Sequence, residues 1–383
     1  MIFNEQHSEI RRTVKKFVEN EINPNVELWE KEGIFPAHEL YGKAGKLGLL
    51  GISKPEEYGG LGLDYSYQAV FAEELGAAEH MSSPLGMGVQ TTMATPALAK
   101  FGSDALRQEF LRPAISGEYV ACIGVSEPHA GSDVAQLKTT ARKEGDDYLI
   151  NGTKMWITNS TQADFICLLA NTSEGQVHKN KSLIVVPTNT PGITFSERLD
   201  KLGARASDTA QIFFDDVRVP QRHRIGEEGQ GFIYQMQQFQ EERLWCVLSA
   251  LRAFENCIDK TIEYARDRQI FGQSVLDNQY VHYQLAEMQA EVELLRSLSY
   301  DAVERMVQGE DVTKLATIAK LKVGRLAKTL PTDCLQFWGG MGMMWDNFVS
   351  RALRDFRIVA IGGGTDETML AVLSKIMGIH PKK

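Results

Sequence analysis

From Phe232 to Phe271 the sequence contains neither glycine nor proline. Leu244, Val247, Leu248, Leu251, Phe254, Ile258, Ile262 and Ala265 keep a helical stripe through it. An unbroken amphipathic segment of this length must be a long helix with other helices against its apolar side. Similar periodicity over residues 279–308, 313–336 and 366–377 supplies neighbours for it. Residues 1–118 also read as helical, with Ile10, Val14, Phe17, Val18 and Ile22 in register and further patterns over 65–79 and 104–116. The glycine-rich stretch Lys54–Asp64 interrupts them, either as a plain connection or as a loop lining a cleft.

Between the helical regions the texture changes. From Tyr119 to Val219 short β-branched and aromatic runs alternate with turn residues, and no helix-length segment separates them. That pattern predicts an antiparallel sheet or small barrel rather than βαβ units. No GxGxxG follows a strand, which disfavours a Rossmann site. The expected fold class is therefore α+β: an N-terminal helical domain over 1–118, a middle antiparallel β domain over 119–226 and a C-terminal helical bundle over 227–383.

Composition narrows the function. A net charge of −9 without a basic cluster argues against nucleic acid as a partner. The five cysteines are scattered, with no CxxC or His-Cys cluster, so no metal site is expected and a reducing compartment is. No apolar run reaches about 18 residues, which disfavours a membrane span, and the N-terminus has no apolar signal core. A cytoplasmic location is expected by default.

Ile123 to Ser160 is the most informative stretch for chemistry. Two strands bring a polar turn (Ser126, Gly131, Ser132) near an indole and a hydroxyl (Trp156, Thr158). An indole can stack on a flat ring, a hydroxyl can bond its edge, and a Gly-Ser turn can offer N–H groups to phosphate. These residues suit a flavin with a pyrophosphate tail.

Six segments, VSEPHAGSD (125–133), INGTKMWITNS (150–160), GARASDT (203–209), RDRQIFGQ (266–273), QFWGGMG (336–342) and IGGGTDET (361–368), stand in one order along the chain. Together they resemble the acyl-CoA dehydrogenase family over essentially the whole length. The resemblance implies FAD as cofactor and an acyl-CoA thioester as substrate. It implies Val125, Ser126, Gly131, Ser132, Trp156 and Thr158 as flavin-binding residues, with Thr365 and Glu367 reaching the cofactor from the loop side. It further implies that Arg268, Phe271, Gln279, Gln336, Gly339 and Gly340 bind the flavin of a neighbouring subunit, within a homotetramer of paired dimers. Helix length supports this independently: Glu242 and Arg268 would lie about 39 Å apart, more than one cofactor should span.

Many relatives place the glutamate base directly before a Gly-Thr pair near the C-terminus. Here that position is Gly363, in Gly362-Gly363-Gly364-Thr365. A minority branch, including the isovaleryl-CoA and long-chain enzymes, carries the glutamate on the long helix before an arginine, as Glu242-Arg243 does here. The spacing of 29 residues from Glu242 to Phe271 matches that branch. Glu242 is thus expected to be the base, and Glu241, about 100° round the helix, a solvated or ion-paired neighbour. The Gly363 amide would donate to the thioester oxygen. Substrate contacts are expected from Ser132, Phe239, Arg243, Gly362 and Gly363.

Without a side chain at 363 the site has room for a branched or bulky acyl group. The pattern is most similar to the citronellyl-CoA dehydrogenase type, with medium- or long-chain substrates as the alternative. Residues 86–95, Trp245, Met341, Met343 and Met344 are candidates for the acyl pocket. The resemblance implies an electron-transfer flavoprotein as acceptor. An oxygen-using acyl-CoA oxidase and a non-enzymatic scaffold on the same fold are the rival readings.

Overall fold

A computed structural model describes residues 3–381. The first part is helical: α1 (Glu5–Phe17), α2 (Val26–Glu32), α3 (Ala37–Lys46), α4 (Tyr65–Leu75), α5 (Ser82–Gly88), α6 (Pro96–Phe101), α7 (Asp104–Leu106) and α8 (Arg112–Ser116). A capping box starts α1: the Asn4 side chain accepts from the His7 N–H at 3.0 Å, and His7 Nδ1 accepts from the Asn4 N–H. The helix expected over 65–79 ends at Leu75. There Gly76 passes so close to the long helix that a Cβ would stand 2.2 Å from the Ser249 carbonyl oxygen. The segment expected as one helix over 104–116 is opened by a π turn, Arg107–Leu111. Pro113 has no N–H to return to Glu109, so regular α-helix cannot run through it.

Eight strands among the described residues form the middle sheet: β1 (Ala121–Gly124), β2 (Thr140–Glu144), β3 (Asp147–Thr158), β4 (Phe165–Asn171), β5 (Lys181–Pro187), β6 (Ile193–Phe195), β7 (Thr209–Pro220) and β8 (Arg224–Ile225). Their order is β6-β7-β3-β2-β4-β5-β8, with β1 also on β4. Pairing is antiparallel except at β4, where β1 (Ala121↔Phe165 to Gly124↔Leu168) and β2 (Thr140↔Asn171) run parallel to it. The chain between β1 and β4 includes a turn and a whole hairpin, long enough for a parallel return. Alternate β4 residues enter two cores. Phe165, Cys167 and Leu169 meet Phe110 and Leu111, while Ile166, Leu168 and Ala170 meet Tyr148 and Ile212. This double burial makes β4 read as a continuous apolar run.

The last part is α9 (Gly231–Asp267), a short hairpin of β9 (Gln269–Ile270) and β10 (Gln273–Ser274), then α10 (Gln279–Val307), α11 (Thr313–Trp338), α12 (Phe348–Phe356) and α13 (Asp366–Ile376). The 37 residues of α9 make it about 55 Å long. It packs on α4, α10 and α11 and shares one apolar cluster with Phe71, Val292 and Val323. No helix among the described residues is long and apolar enough to cross a membrane.

Candidate functional site

The turn after β1 is fixed from inside. Glu127 is buried, and its carboxylate accepts from the Lys138 N–H at 2.7 Å, the Thr139 N–H at 3.0 Å and Lys154 Nζ at 2.9 Å. Lys154, also buried, donates a second hydrogen bond to the Val125 carbonyl at 3.1 Å. Burial would raise the Glu127 pKa, but Lys154, Thr139 and the Lys138 amide outweigh it and hold it below the usual value. Burial lowers Lys154 to about 8 despite the pull of Glu127. The whole of residues 125–139 is thereby tied to β3.

Strand β3 bulges against β7 between Lys154 and Ile157. Trp156 sits in that bulge at φ +60°, a conformation rare for a bulky residue, and its indole is 54% exposed. The Met155 N–H donates to the Ser126 carbonyl at 2.9 Å, so the bulge and the turn are joined. Ser126 and Thr158 are half-buried, and Gly131 and Ser132 are exposed with open space at the Gly131 Cα. Among the described residues the hydroxyls of Ser126, Ser132 and Thr158 take no part in any hydrogen bond. An uncovered indole beside three free hydroxyls fits a flavin and its phosphate tail.

A second group of site residues is built on α9. A Cβ placed on Gly363 would lie 3.1 Å from Cys246 Sγ, 3.3 Å from Lys320 Cε and 3.5 Å from Glu242 Oε1. Glu242 is half-buried along the cleft, and burial raises its pKa to about 7 although Arg243 and Lys320 draw it down. Gly363 has φ +65° and Gly364 φ +101°. The amides of Ile361 and Gly362 both donate to the Ile358 carbonyl at 2.8 Å, while that of Gly363 has no partner among the described residues. Phe239 lies half-buried one helical turn before Glu242. Arg243 is half-buried without an ion pair within 4 Å among the described residues, and its Nε is buried without a partner.

Glu241 departs from the expectation. It is half-buried rather than freely solvated, and no cation lies within 4 Å of its carboxylate among the described residues. Burial raises its pKa against the weaker pull of Lys54 and Lys100. Tyr65, the first residue of α4, donates from its hydroxyl to the Glu241 main-chain carbonyl at 3.1 Å.

Two contacts link the end of β3 to α9. Asn159 Nδ2 donates to the Gly86 carbonyl at 3.0 Å, and Gly88, a half-turn on, meets the Trp245 indole. A Cβ on Gly88 would be 2.2 Å from Trp245 Nε1, and one on Gly86 would be 2.8 Å from the Asn159 carboxamide oxygen. These glycines therefore serve close packing rather than open pocket space. Met341, Met343 and Met344 are exposed rather than lining a pocket within this chain.

Of the remaining predicted residues, all but Thr365 and Glu367 lie at the far end of α9, in the β9–β10 hairpin, at the start of α10 or at the end of α11. Arg268 caps the far end of α9, and Phe271 tips the β9–β10 hairpin at φ +49° with its ring fully exposed. Gln279 is exposed and bonds the Tyr283 hydroxyl at 2.7 Å. Gln336, Gly339 and Gly340 are exposed at the end of α11. Thr365 is already engaged as the N-cap of α13, accepting from the Thr368 N–H at 3.1 Å, and Glu367 is exposed. No group of three or more His, Cys, Asp or Glu that could hold a metal occurs among the described residues.

Sequence reading missed Glu127, Lys154, Cys246 and Lys320. Lys320 had a signal: a lysine inside the apolar stripe of Ala316, Ala319, Val323 and Ala327.

Comparison with known proteins places the chain in a family. The models for the acyl-CoA dehydrogenase N-terminal, middle and C-terminal domains match residues 4–118, 122–217 and 229–378. The chain is similar to the mitochondrial short-chain specific acyl-CoA dehydrogenase of Rattus norvegicus, at 36% identity over 97% of this chain and 89% of that one. The mitochondrial long-chain specific enzyme of Sus scrofa is 34% identical over 100% of this chain and 88% of its own. A crystal structure of an acyl-CoA dehydrogenase from Geobacillus kaustophilus superposes with a TM-score of 0.94, at 36% identity and 98% coverage of both chains.

Proposed function

The chain belongs to the acyl-CoA dehydrogenase family, and from that premise we propose that Glu242 is its base and the Gly363 amide its donor to the thioester carbonyl. Members of the family are FAD flavoproteins that dehydrogenate acyl-CoA thioesters. The observation that carries the proposal is that Glu242 Oε1 lies 3.5 Å from where a Cβ on Gly363 would stand. The helix brings a carboxylate to the very place where the loop has none.

The roles follow from position. FAD, when bound, supplies the acceptor for the hydrogen that leaves the β-carbon as hydride. Val125, Ser126, Gly131, Ser132, Trp156 and Thr158 would hold it. Glu242 takes the α-proton. Its raised proton affinity, about 7, suits a base that must ionise near neutrality and still hold a proton. The free N–H of Gly363 donates to the carbonyl oxygen, where negative charge develops and such a donor is worth roughly 3–4 kcal/mol. Phe239, Arg243 and Gly362 line the same cleft, and the unpaired Arg243 guanidinium is available to the substrate's polar groups.

The exposed phenyl of Phe271, held in a strained turn some 39 Å of helix away from Glu242, supports assembly through that end. We assign Arg268, Phe271, Gln279, Gln336, Gly339 and Gly340 to the flavin of a neighbouring copy, in a homotetramer. Thr365 and Glu367 complete the loop side. Domain divisions after residues 118 and 226, a cytoplasmic location and an electron-transfer flavoprotein as acceptor belong to the same proposal. A branched or medium-to-long acyl group belongs to the same proposal, but room for it does not come from Gly363, where a side chain would already meet Glu242, Cys246 and Lys320. Anaerobic titration of the FAD-loaded protein with straight and branched acyl-CoA esters tests this. Bleaching of the flavin by branched esters supports it; indifference to every ester overturns it.

A further inference from the structure

Lys320 occupies a core position on α11 and is fully buried. Its ammonium donates to the Val359 carbonyl at 2.7 Å and to the Gly364 carbonyl at 2.9 Å. Those two acceptors bracket the turn 360–363 that carries the Gly363 amide. The same face of α11 continues beneath the turn. A Cβ on Gly324 would stand 2.3 Å from Asp366 Oδ1 and 3.2 Å from the Ala360 Cα, and Lys328 pairs with Asp366 Oδ2 at 2.6 Å. Residues 320, 324 and 328 lie on one side of the helix, each about one turn after the last. The turn's own hydrogen bonds, from the Ile361 and Gly362 amides to the Ile358 carbonyl, stop short of Gly363. Its two glycines, Gly362 and Gly363, followed by Gly364, would sample many conformations if left to themselves.

We infer that Lys320 is a positioning residue: it clamps both ends of the 360–363 turn so that the Gly363 N–H faces the thioester, and it sets a positive charge beside Glu242. The inference rests on the assignment of Glu242 and Gly363 made above. The titratable groups around the ammonium are Glu242, Arg243 and Cys246 from α9 and Asp366 from α13. Of these, only Arg243 would be left to stabilise the Glu242 carboxylate if Lys320 were neutral. Burial lowers the proton affinity of Lys320 itself, and Cys246, Asp366 and Glu242 oppose that effect.

The test uses the FAD-loaded protein carrying Lys320→Met, with two readouts. Amide hydrogen exchange over residues 358–366 should quicken about tenfold or more, while exchange over residues 140–158 stays as in the parent. The pH midpoint of kcat/KM should move up by about one unit, as expected when an opposite charge is removed from beside an acid. Exchange reads the clamp with no reaction taking place, so it can fail separately from the base assignment. Unchanged exchange at the turn, or a loss of rate with no movement of the midpoint, overturns the inference. If Lys320→Met does not fold, Lys320→Gln replaces it, keeping N–H donors without the charge. Its midpoint should still rise while the turn remains largely protected; an unmoved midpoint contradicts the role.

Discussion

Glu242 and Gly363 face each other across the cleft, the carboxylate oxygen 3.5 Å from where a side chain on the glycine would begin. They are far apart in sequence and are brought together by the packing of α9 against α11 and the turn before α13. A carboxyl at either position would serve the same reacting carbons. The chain's glycine at 363 is thus matched by its acid at 242.

That pairing has a pH signature. Glu242 must be ionised to act, so kcat/KM should fall as pH drops through about 7. Stability runs the other way. The folded protein binds this proton more tightly than the unfolded chain, so stability declines as pH rises from the ordinary glutamate range through about 7. Glu242→Gln removes the buried charge and should unfold later than the parent at pH 8, by roughly 2–3 kcal/mol, with a smaller gain at pH 6. Thermal unfolding of the two proteins at both pH values checks this.

Trp156 contributes little to the fold because its indole faces outward. Trp156→Ala should leave apoprotein stability within about 0.5 kcal/mol. It should weaken FAD binding about tenfold or more, read by flavin fluorescence on titration. Equal affinity for FAD would remove the indole from the cofactor site.

The Glu127–Lys154 pair should behave oppositely. Lys154→Met leaves a buried carboxylate without its cation and should cost about 3–5 kcal/mol in urea unfolding at pH 7. Glu127 titrates below the ordinary value in the folded protein, so this part of the stability is present above the unfolded pKa. It is lost as pH falls through the folded one. The gap between variant and parent should therefore narrow in acid.

Phe271→Gly should relieve the positive φ and remove an exposed phenyl, with no loss of protomer stability. If that ring belongs to a neighbour's site, sedimentation velocity should show smaller assemblies, and FAD should dissociate more readily. An assembly and cofactor affinity like the parent's would take Phe271 out of the interface.

Much of this was legible in the sequence because it depends on periodicity. The long helix needed only a stretch without glycine or proline, and the sheet only short β-branched runs. Parallel pairing at β4 was not legible, because strand direction is fixed by which edge the returning chain reaches. The sequence pointed to Trp156, but its exposure follows from a bulge set by register with β7. Glu241 looked like a surface residue because a glutamate pair on a helix usually is. Its burial comes with neighbours distant in sequence, Lys54, Tyr65 and Lys100. Lys154 was hidden because a buried lysine is recognisable only once its acceptors are in place, whereas Lys320 stood out as a lysine within an apolar helical stripe, though without its acceptors.

The most direct measurement is the rate of flavin reduction by acyl-CoA in Glu242→Gln, mixed anaerobically and followed in a single turnover. With Glu242 as the base, this variant binds FAD as the parent does and reduces it roughly 10²–10⁴-fold more slowly. Reduction at a rate close to the parent's would contradict it and place the base elsewhere.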